Sequence, residues 1–309
     1  MDEIGRIAML ARVLRAGGQG IEVGMGDDAA VLSPPGTRLV WTIDEQVEGV
    51  HFRRDLASWR DVGWRSYMAA ASDVAAMGAT PWCALAALVV PENVDDAALE
   101  AIAGGQREAA EAARAPVVGG NLARGPALSI ATTLLGTCDG PVERRGAMPG
   151  DGLWMAGHVG LAAAGLRALE AGNGTDPRLA AAILAWRAPH ALFAEGRAMG
   201  GRAHAAVDVS DGLARDAGHL AEASEAQLVL DEAALVEDQA LLEAAGALGV
   251  SALDLALHGG EDYALLAACD RPIEGFRRIG EVRAGRGLIL RGATDERLLE
   301  PRGFDHFTG

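Results

Sequence analysis

A chain of 309 residues, half of them apolar, is long enough for two domains that each bury a core. Its formal charge of -16 sets up an acidic field that repels nucleic acid and anionic membranes, so any phosphate it binds must be met locally by arginine or a metal ion. All 27 basic residues are arginine, and the absence of lysine removes Walker-type NTPases, protein kinases and Schiff-base or pyridoxal enzymes, each of which rests on a particular lysine.

Cys83, Cys138 and Cys269 are far apart and form no C-x-x-C, which reads as core thiols in a reducing compartment. At the start, Ile4, Ile7, Ala11 and Leu14 are spaced as a helix and not as a signal-peptide core. The longest apolar run, Trp82 to Pro91, is too short to span a bilayer. A cytoplasmic protein with small-molecule partners is expected, without nucleic acid or membrane.

In chain order, Ala29–Leu32 and Leu39–Ile43 flank Ser33-Pro34-Pro35-Gly36, which reads as a β-hairpin. A helix over Ser58–Met77, a strand over Trp82–Val90, a helix over Asp95–Arg114 and a strand over Pro126–Cys138 follow. Strands and helices mix without strict βαβ alternation, which predicts an α+β first domain. Turn formers and charges crowd into Gly140–Gly152 and mark a boundary between domains at 1–140 and 141–309. Beyond it, Leu153–Ala156 and Ala205–Val209 read as buried strands. Helices near 160–172, 178–200 and 212–224 make the second domain a layered α/β unit.

The hairpin carries the first chemical signal. If its turn is centred between Pro35 and Gly36, Asp27 lies opposite Asp44, with Cβ atoms about 5 Å apart. Two facing carboxylates call for a cation, and a hard ion such as Mg²⁺ takes oxygen ligands while keeping waters for phosphate. The alternative is an Asx turn at Asp27-Asp28 and a loop carboxylate at Asp44. The second signal is Asp208 in the apolar run Ala205–Val209, where an unpaired carboxylate is costly to bury. Ser210 shares its face, and Ser210 or Asp211 is placed to cap the helix that follows.

Gly119-Gly120-Asn121 and His258-Gly259-Gly260-Glu261-Asp262-Tyr263 admit either close backbone approach to a ligand or an ordinary turn. Asp73 lies among small helical residues. His51 either binds an anion or caps local structure. No H-E-x-x-H and no G-x-S-x-G is present.

In this order the segments resemble the thiamine-monophosphate kinase family, in the superfamily of aminoimidazole ribonucleotide synthetase. The resemblance runs through Gly26-Asp27-Asp28-Ala29-Ala30, Val47-Glu48-Gly49-Val50-His51-Phe52, Ser72-Asp73-Val74-Ala75-Ala76-Met77-Gly78-Ala79, Gly119-Gly120 and Arg144 with Gly146 and Pro149-Gly150-Asp151. It continues through Asp208-Val209-Ser210-Asp211-Gly212-Leu213, Gly259-Gly260-Glu261-Asp262-Tyr263 and Gly303-Phe304-Asp305-His306-Phe307.

The resemblance implies a two-domain α+β architecture. Its N-terminal α/β domain binds ATP and metal and pairs its sheet in a homodimer, and a C-terminal layered α/β domain completes the cleft. It implies ATP as co-substrate and thiamine monophosphate as acceptor. Asp27, Thr42, Asp44, Asp73, Asp208 and Asp211 would hold several Mg²⁺ ions. Gly119, Gly120, Asn121, Arg144 and Ser210 would contact the nucleotide, and His51, Glu261 and Phe304 the thiamine phosphate. The acceptor oxygen is largely deprotonated at neutral pH, so charge neutralisation and in-line positioning are the whole task, and no general base is required.

Three stretches depart from the family pattern. Gly119-Gly120-Asn121-Leu122 stands where the family has Gly-Gly-Asp-Thr, Thr42-Ile43-Asp44 where it has Ser-Thr-Asp, and Ala70-Ala71-Ser72-Asp73 where it has Asn-Leu-Ser-Asp. Asn121 brings no charge, so a metal there binds more weakly. A relative phosphorylating another small acceptor, and a weakened nucleotide-binding paralogue, are the competing readings.

Overall fold

A computed structural model describes residues 12–13, 21–23, 31–32 and 38–304. They fall into two compact units, one from 1–74 with 79–139 and the other from 75–78 with 140–309.

In the first unit, β1 (Ile21–Val23) pairs antiparallel with β2 (Val31–Leu32). A separate four-stranded sheet has the order β3-β6-β4-β5, from β3 (Arg38–Val47), β4 (Thr80–Val90), β5 (Val117–Arg124) and β6 (Ser129–Cys138). Among the described residues the unit also holds helices α1 (Trp59–Ala76) and α2 (Asp96–Ala113).

Among the described residues the expected hairpin is not seen, and its turn at Ser33–Gly36 lies outside them. Val31–Leu32 pairs with Ile21–Val23, whereas β3 pairs along its whole length with β6, from Arg38↔Cys138 to Val47↔Ser129. On the β6 side Asp44 faces Thr132. Asp27, and with it the expected Asp27–Asp44 pair, lies outside the described residues.

Helix α2 begins where expected, because Asp95 accepts from Ala98 N at 2.8 Å, and it ends at Arg114 in the left-handed region at φ 56°. The two helices meet through glycines. A methyl group on Gly63 would lie 1.9 Å from Ile102 O, and one on Gly105 would lie 2.0 Å from Arg60 O.

The second unit is built on a seven-stranded sheet of order β13-β12-β9-β11-β7-β10-β8. Its strands are β7 (Gly152–Ala156), β8 (Ala205–Val209), β9 (Gln227–Asp231), β10 (Ala264–Cys269), β11 (Arg277–Arg283), β12 (Gly287–Arg291) and β13 (Glu296–Leu299). All neighbours pair antiparallel except β9 with β12.

Strand alternation feeds two cores. Val207, Val209 and Leu266 join one large cluster with Leu161, Leu213, Leu220, Leu241 and Leu255 from helices α3 (Leu161–Glu170), α6 (Leu213–Ser224), α8 (Gln239–Leu248) and α9 (Ala252–His258). Ala206, Leu265 and Ala267 face a second cluster with Met199. The expected helix over 178–200 is broken. A 3-10 turn at Pro177–Leu179 leads into α4 (Ala180–Arg187), and Pro189 separates it from α5 (Phe193–Met199). A short α7 (Glu232–Leu235) follows β9.

Candidate functional site

Strand β3 alternates between solvent and sheet interior. Trp41 and Ile43 are exposed, while Thr42 and Asp44 are half-buried and Gln46 is buried on the other face. Thr42 Oγ1 donates to Asp73 Oδ2 at 2.5 Å, which joins β3 to α1 and places the Asp73 carboxylate beside the face that carries Asp44. Opposite Asp44, Thr132 is fully buried and its Oγ1 has no hydrogen-bond partner among the described residues.

Gly119, Gly120 and Asn121 lie within β5 and not in a turn. Gly120 has a structural reason to be glycine, because an added methyl would stand 1.8 Å from Ala86 O in the parallel partner strand. Asn121 is level with Ala87, in the row that continues through Ala131 to Glu45. That row faces away from the one holding Thr132 and Asp44, so the register does not join Asn121 to the Thr42–Asp73 pair. His51 Nδ1 accepts from Val47 N at 2.9 Å, which places the proton of a neutral ring on Nε2.

In the second unit, three distant motifs converge. Buried Asp208 sits on edge strand β8, opposite Leu265. Ser210 O accepts from Glu261 N at 2.7 Å, Val209 O from Tyr263 N at 2.8 Å, and Asp211 O from Phe304 N at 3.0 Å. Arg215 clamps the assembly, 3.5 Å from Asp211 Oδ2 and donating to Phe304 O.

Neither Ser210 nor Asp211 is the cap of α6. Gly212 takes that position at φ 112°, packed against the backbone of His258 and Gly259. The amides of Ser210 and Asp211 instead both donate to Asp216 Oδ2 at 3.0 Å. Burial, with Asp208 and Asp211 adding like charge, pushes the Asp216 carboxyl up to about 7. Asp216 escaped the sequence reading, although its place in the first turn after an acidic strand end was the available signal.

Glu261 and Tyr263 hold left-handed backbone at φ 66° and 52°, a strain that persists only where surroundings enforce it. Glu261 Oε2 accepts from Trp186 Nε1 at 2.8 Å, a partner no motif announced. Asp262 accepts from Gly160 N at 2.6 Å and Ala162 N at 3.0 Å, capping a helix whose own cap residue has no side chain. Burial pushes it up to about 7 despite those bonds. Arg144 is exposed, and its loop is tied down by Ser224 Oγ, which donates to Arg144 O and accepts from the amides of Gly146 and Ala147. Among the described residues, no three His, Cys, Asp or Glu side chains enclose a metal position.

Residues 26–138 match the family model described as AIR synthase related protein, N-terminal domain, which sets the class of the first unit. Among curated proteins, thiamine-monophosphate kinase of Mycobacterium tuberculosis is 36% identical, over 94% of this chain and 88% of its own. That of Aquifex aeolicus is 32% identical over 92% of each. The chain belongs to the thiamine-monophosphate kinase family. It is also similar to a solved structure of AaThiL complexed with AMPPCP and TMP, at a TM-score of 0.83 and 31% identity, covering 99% of this chain and 97% of that one. The thiamine-monophosphate kinase of Stenotrophomonas maltophilia K279a gives a TM-score of 0.83 at 32% identity, covering 96% of this chain and 98% of that one.

Proposed function

We propose that the chain transfers the γ-phosphoryl group of ATP directly to the phosphate of thiamine monophosphate, releasing ADP and thiamine diphosphate. The bond from the γ-phosphorus to the β,γ-bridging oxygen breaks as a bond to an acceptor phosphate oxygen forms. The observation that carries this reading is family membership along nearly the whole chain, together with the backbone ties that bring Asp208–Asp211, Glu261 and Phe304 to one acidic corner.

The donor set fits Mg²⁺. Thr42, Asp44, Asp73, Asp208 and Asp211 offer only hard oxygens, and the unmatched Thr132 oxygen lies beside Asp44. Mg²⁺ characteristically takes one or two carboxylates and completes its shell with water and substrate phosphate, so the want of a closed protein cage is compatible with it. When bound, the ions neutralise the charge of two approaching anions. We assign Asp27, Thr42, Asp44, Asp73, Asp208 and Asp211 to metal, with Gly119, Gly120, Asn121, Arg144 and Ser210 beside the nucleotide. His51, Glu261 and Phe304 are assigned to the acceptor, the Phe304 ring offering its face to the cationic heterocycle.

Residues 1–140 are read as the unit that binds ATP and metal and pairs with a second copy. Leu39, Trp41, Ile43 and Leu85 support a homodimer, since they expose apolar surface from one sheet at 53%, 73%, 67% and 37%. No single helix among the described residues is long and apolar enough to cross a membrane, which accords with a cytoplasmic placement.

The test is purified protein with ATP, Mg²⁺ and thiamine monophosphate. Thiamine diphosphate and ADP are expected in equal amounts, and ATP binding without that product overturns the acceptor assignment.

A further inference from the structure

The interior row of the four-stranded sheet contains a hydroxyl with nothing to bond. Thr132 is completely buried, and Oγ1 has no hydrogen-bond partner among the described residues. Its ladder neighbours are Asp44 on β3 and Ala86 on β4, and its same-face neighbours along β6 are Ile130 and Leu134, both fully buried. Of these four, only Asp44 carries a side-chain acceptor. Directly opposed residues have Cβ atoms about 5 Å apart, within reach of each other by rotation about χ1. Two residues further along the same face of β3, buried Gln46 leaves its Oε1 without a partner as well. Native interiors rarely tolerate such groups unless a ligand or ion gives them a purpose.

We propose that Thr132 is a positioning residue for metal binding. Its hydroxyl donates to one oxygen of the Asp44 carboxylate and so turns the other oxygen toward the cation. This rests on the metal assignment of Asp44 above. Partners of this kind, one bond removed from the ion, fix ligand orientation and change metal affinity when removed.

The test compares Thr132→Val, which keeps the shape and removes the hydroxyl, with Thr132→Ser, which keeps the hydroxyl. Mn²⁺ binding to the full chain is followed by electron paramagnetic resonance, alongside the Mg²⁺ dependence of thiamine diphosphate formation and the melting temperature without metal. Thr132→Val is expected to weaken Mn²⁺ binding about tenfold or more, with Thr132→Ser near wild type. The metal-free melting temperature should hold or rise, because without the cation the Thr132 hydroxyl has no partner to lose, and its bond to Asp44 forms only with the ion in place.

Unchanged Mn²⁺ affinity in Thr132→Val overturns the proposal. So does a drop in melting temperature with metal affinity intact, which makes Thr132 a structural partner of Gln46. A wild-type chain that binds Mn²⁺ but forms no thiamine diphosphate rejects the proposed function while leaving the Thr132 comparison decisive. One that binds no Mn²⁺ rejects both.

Discussion

Trp186 donates its indole N–H to Glu261 Oε2 at 2.8 Å, and Glu261 is held in left-handed backbone at φ 66°. The bond orients a carboxylate assigned above to the acceptor, so Trp186 is expected to act through Glu261. Trp186→Phe keeps most of the buried ring and removes the donor. The KM for thiamine monophosphate should rise about tenfold with a smaller change in kcat, in line with the loss of a hydrogen bond to a charged group. An equal fall in kcat alone would argue against an orienting role. Steady-state kinetics with each substrate varied decides it.

Stability should fall as pH rises from the ordinary carboxylate range toward neutrality. Asp216 and Asp262 have folded carboxyls pushed up to about 7, above their unfolded range near 4. Between those limits the native state binds more protons than the unfolded one, so raising pH lowers unfolding free energy, and the loss is complete above the folded values. Melting temperatures in chelator are expected to drop between about pH 4.5 and about pH 7 and to level off above it. Asp262→Asn should flatten the decline. A melting temperature that climbs over that window contradicts the burial assigned to both carboxyls.

The α1–α2 contact makes neighbouring glycines respond with opposite sign. Gly63→Ala or Gly105→Ala drives a methyl to within 2 Å of Ile102 O or Arg60 O. Overpacking of this kind costs about 1–3 kcal/mol, and backbone atoms yield poorly. Beside them on α2, Gly104 has nothing within 4 Å of an added methyl, so Gly104→Ala should stabilise the helix by about 0.5–1 kcal/mol. Urea denaturation of the three variants measures the split.

Trp41 is the most exposed aromatic of the outer sheet face, at 73%. A charge there should break self-association without unfolding the unit. Trp41→Glu is expected to sediment as a monomer with an unchanged far-ultraviolet spectrum. A dimer that survives the substitution places the interface elsewhere.

Most signals with a local cause were legible. Asp95 at the head of α2, the apolar run of β8 and the break at Gly212 all follow from side chains within a few residues of the element they shape. The pairing of β3 was not legible, because its partner β6 lies 92 residues away at the Thr42–Leu134 level, while Pro34-Pro35-Gly36 advertised a nearby turn. The acidic residues of the second unit could be named from their order in the chain. Asp216, Trp186 and Arg215 emerged only once folding had carried their partners to them. The helix expected over 178–200 failed at Pro189, a residue whose effect on its neighbours is local but was outweighed by the long alanine-rich run around it.

Gly120 alters what mutagenesis of the Gly119-Gly120 pair can mean. Any side chain there strikes the oxygen of Ala86, so a dead Gly120 variant would report a sprung strand and say nothing of a nucleotide. At Gly119 a methyl would meet only one methyl group of Leu85, 3.0 Å away, and that side chain can yield. Of the two, Gly119 alone offers an honest probe of whether a ligand passes close to this backbone.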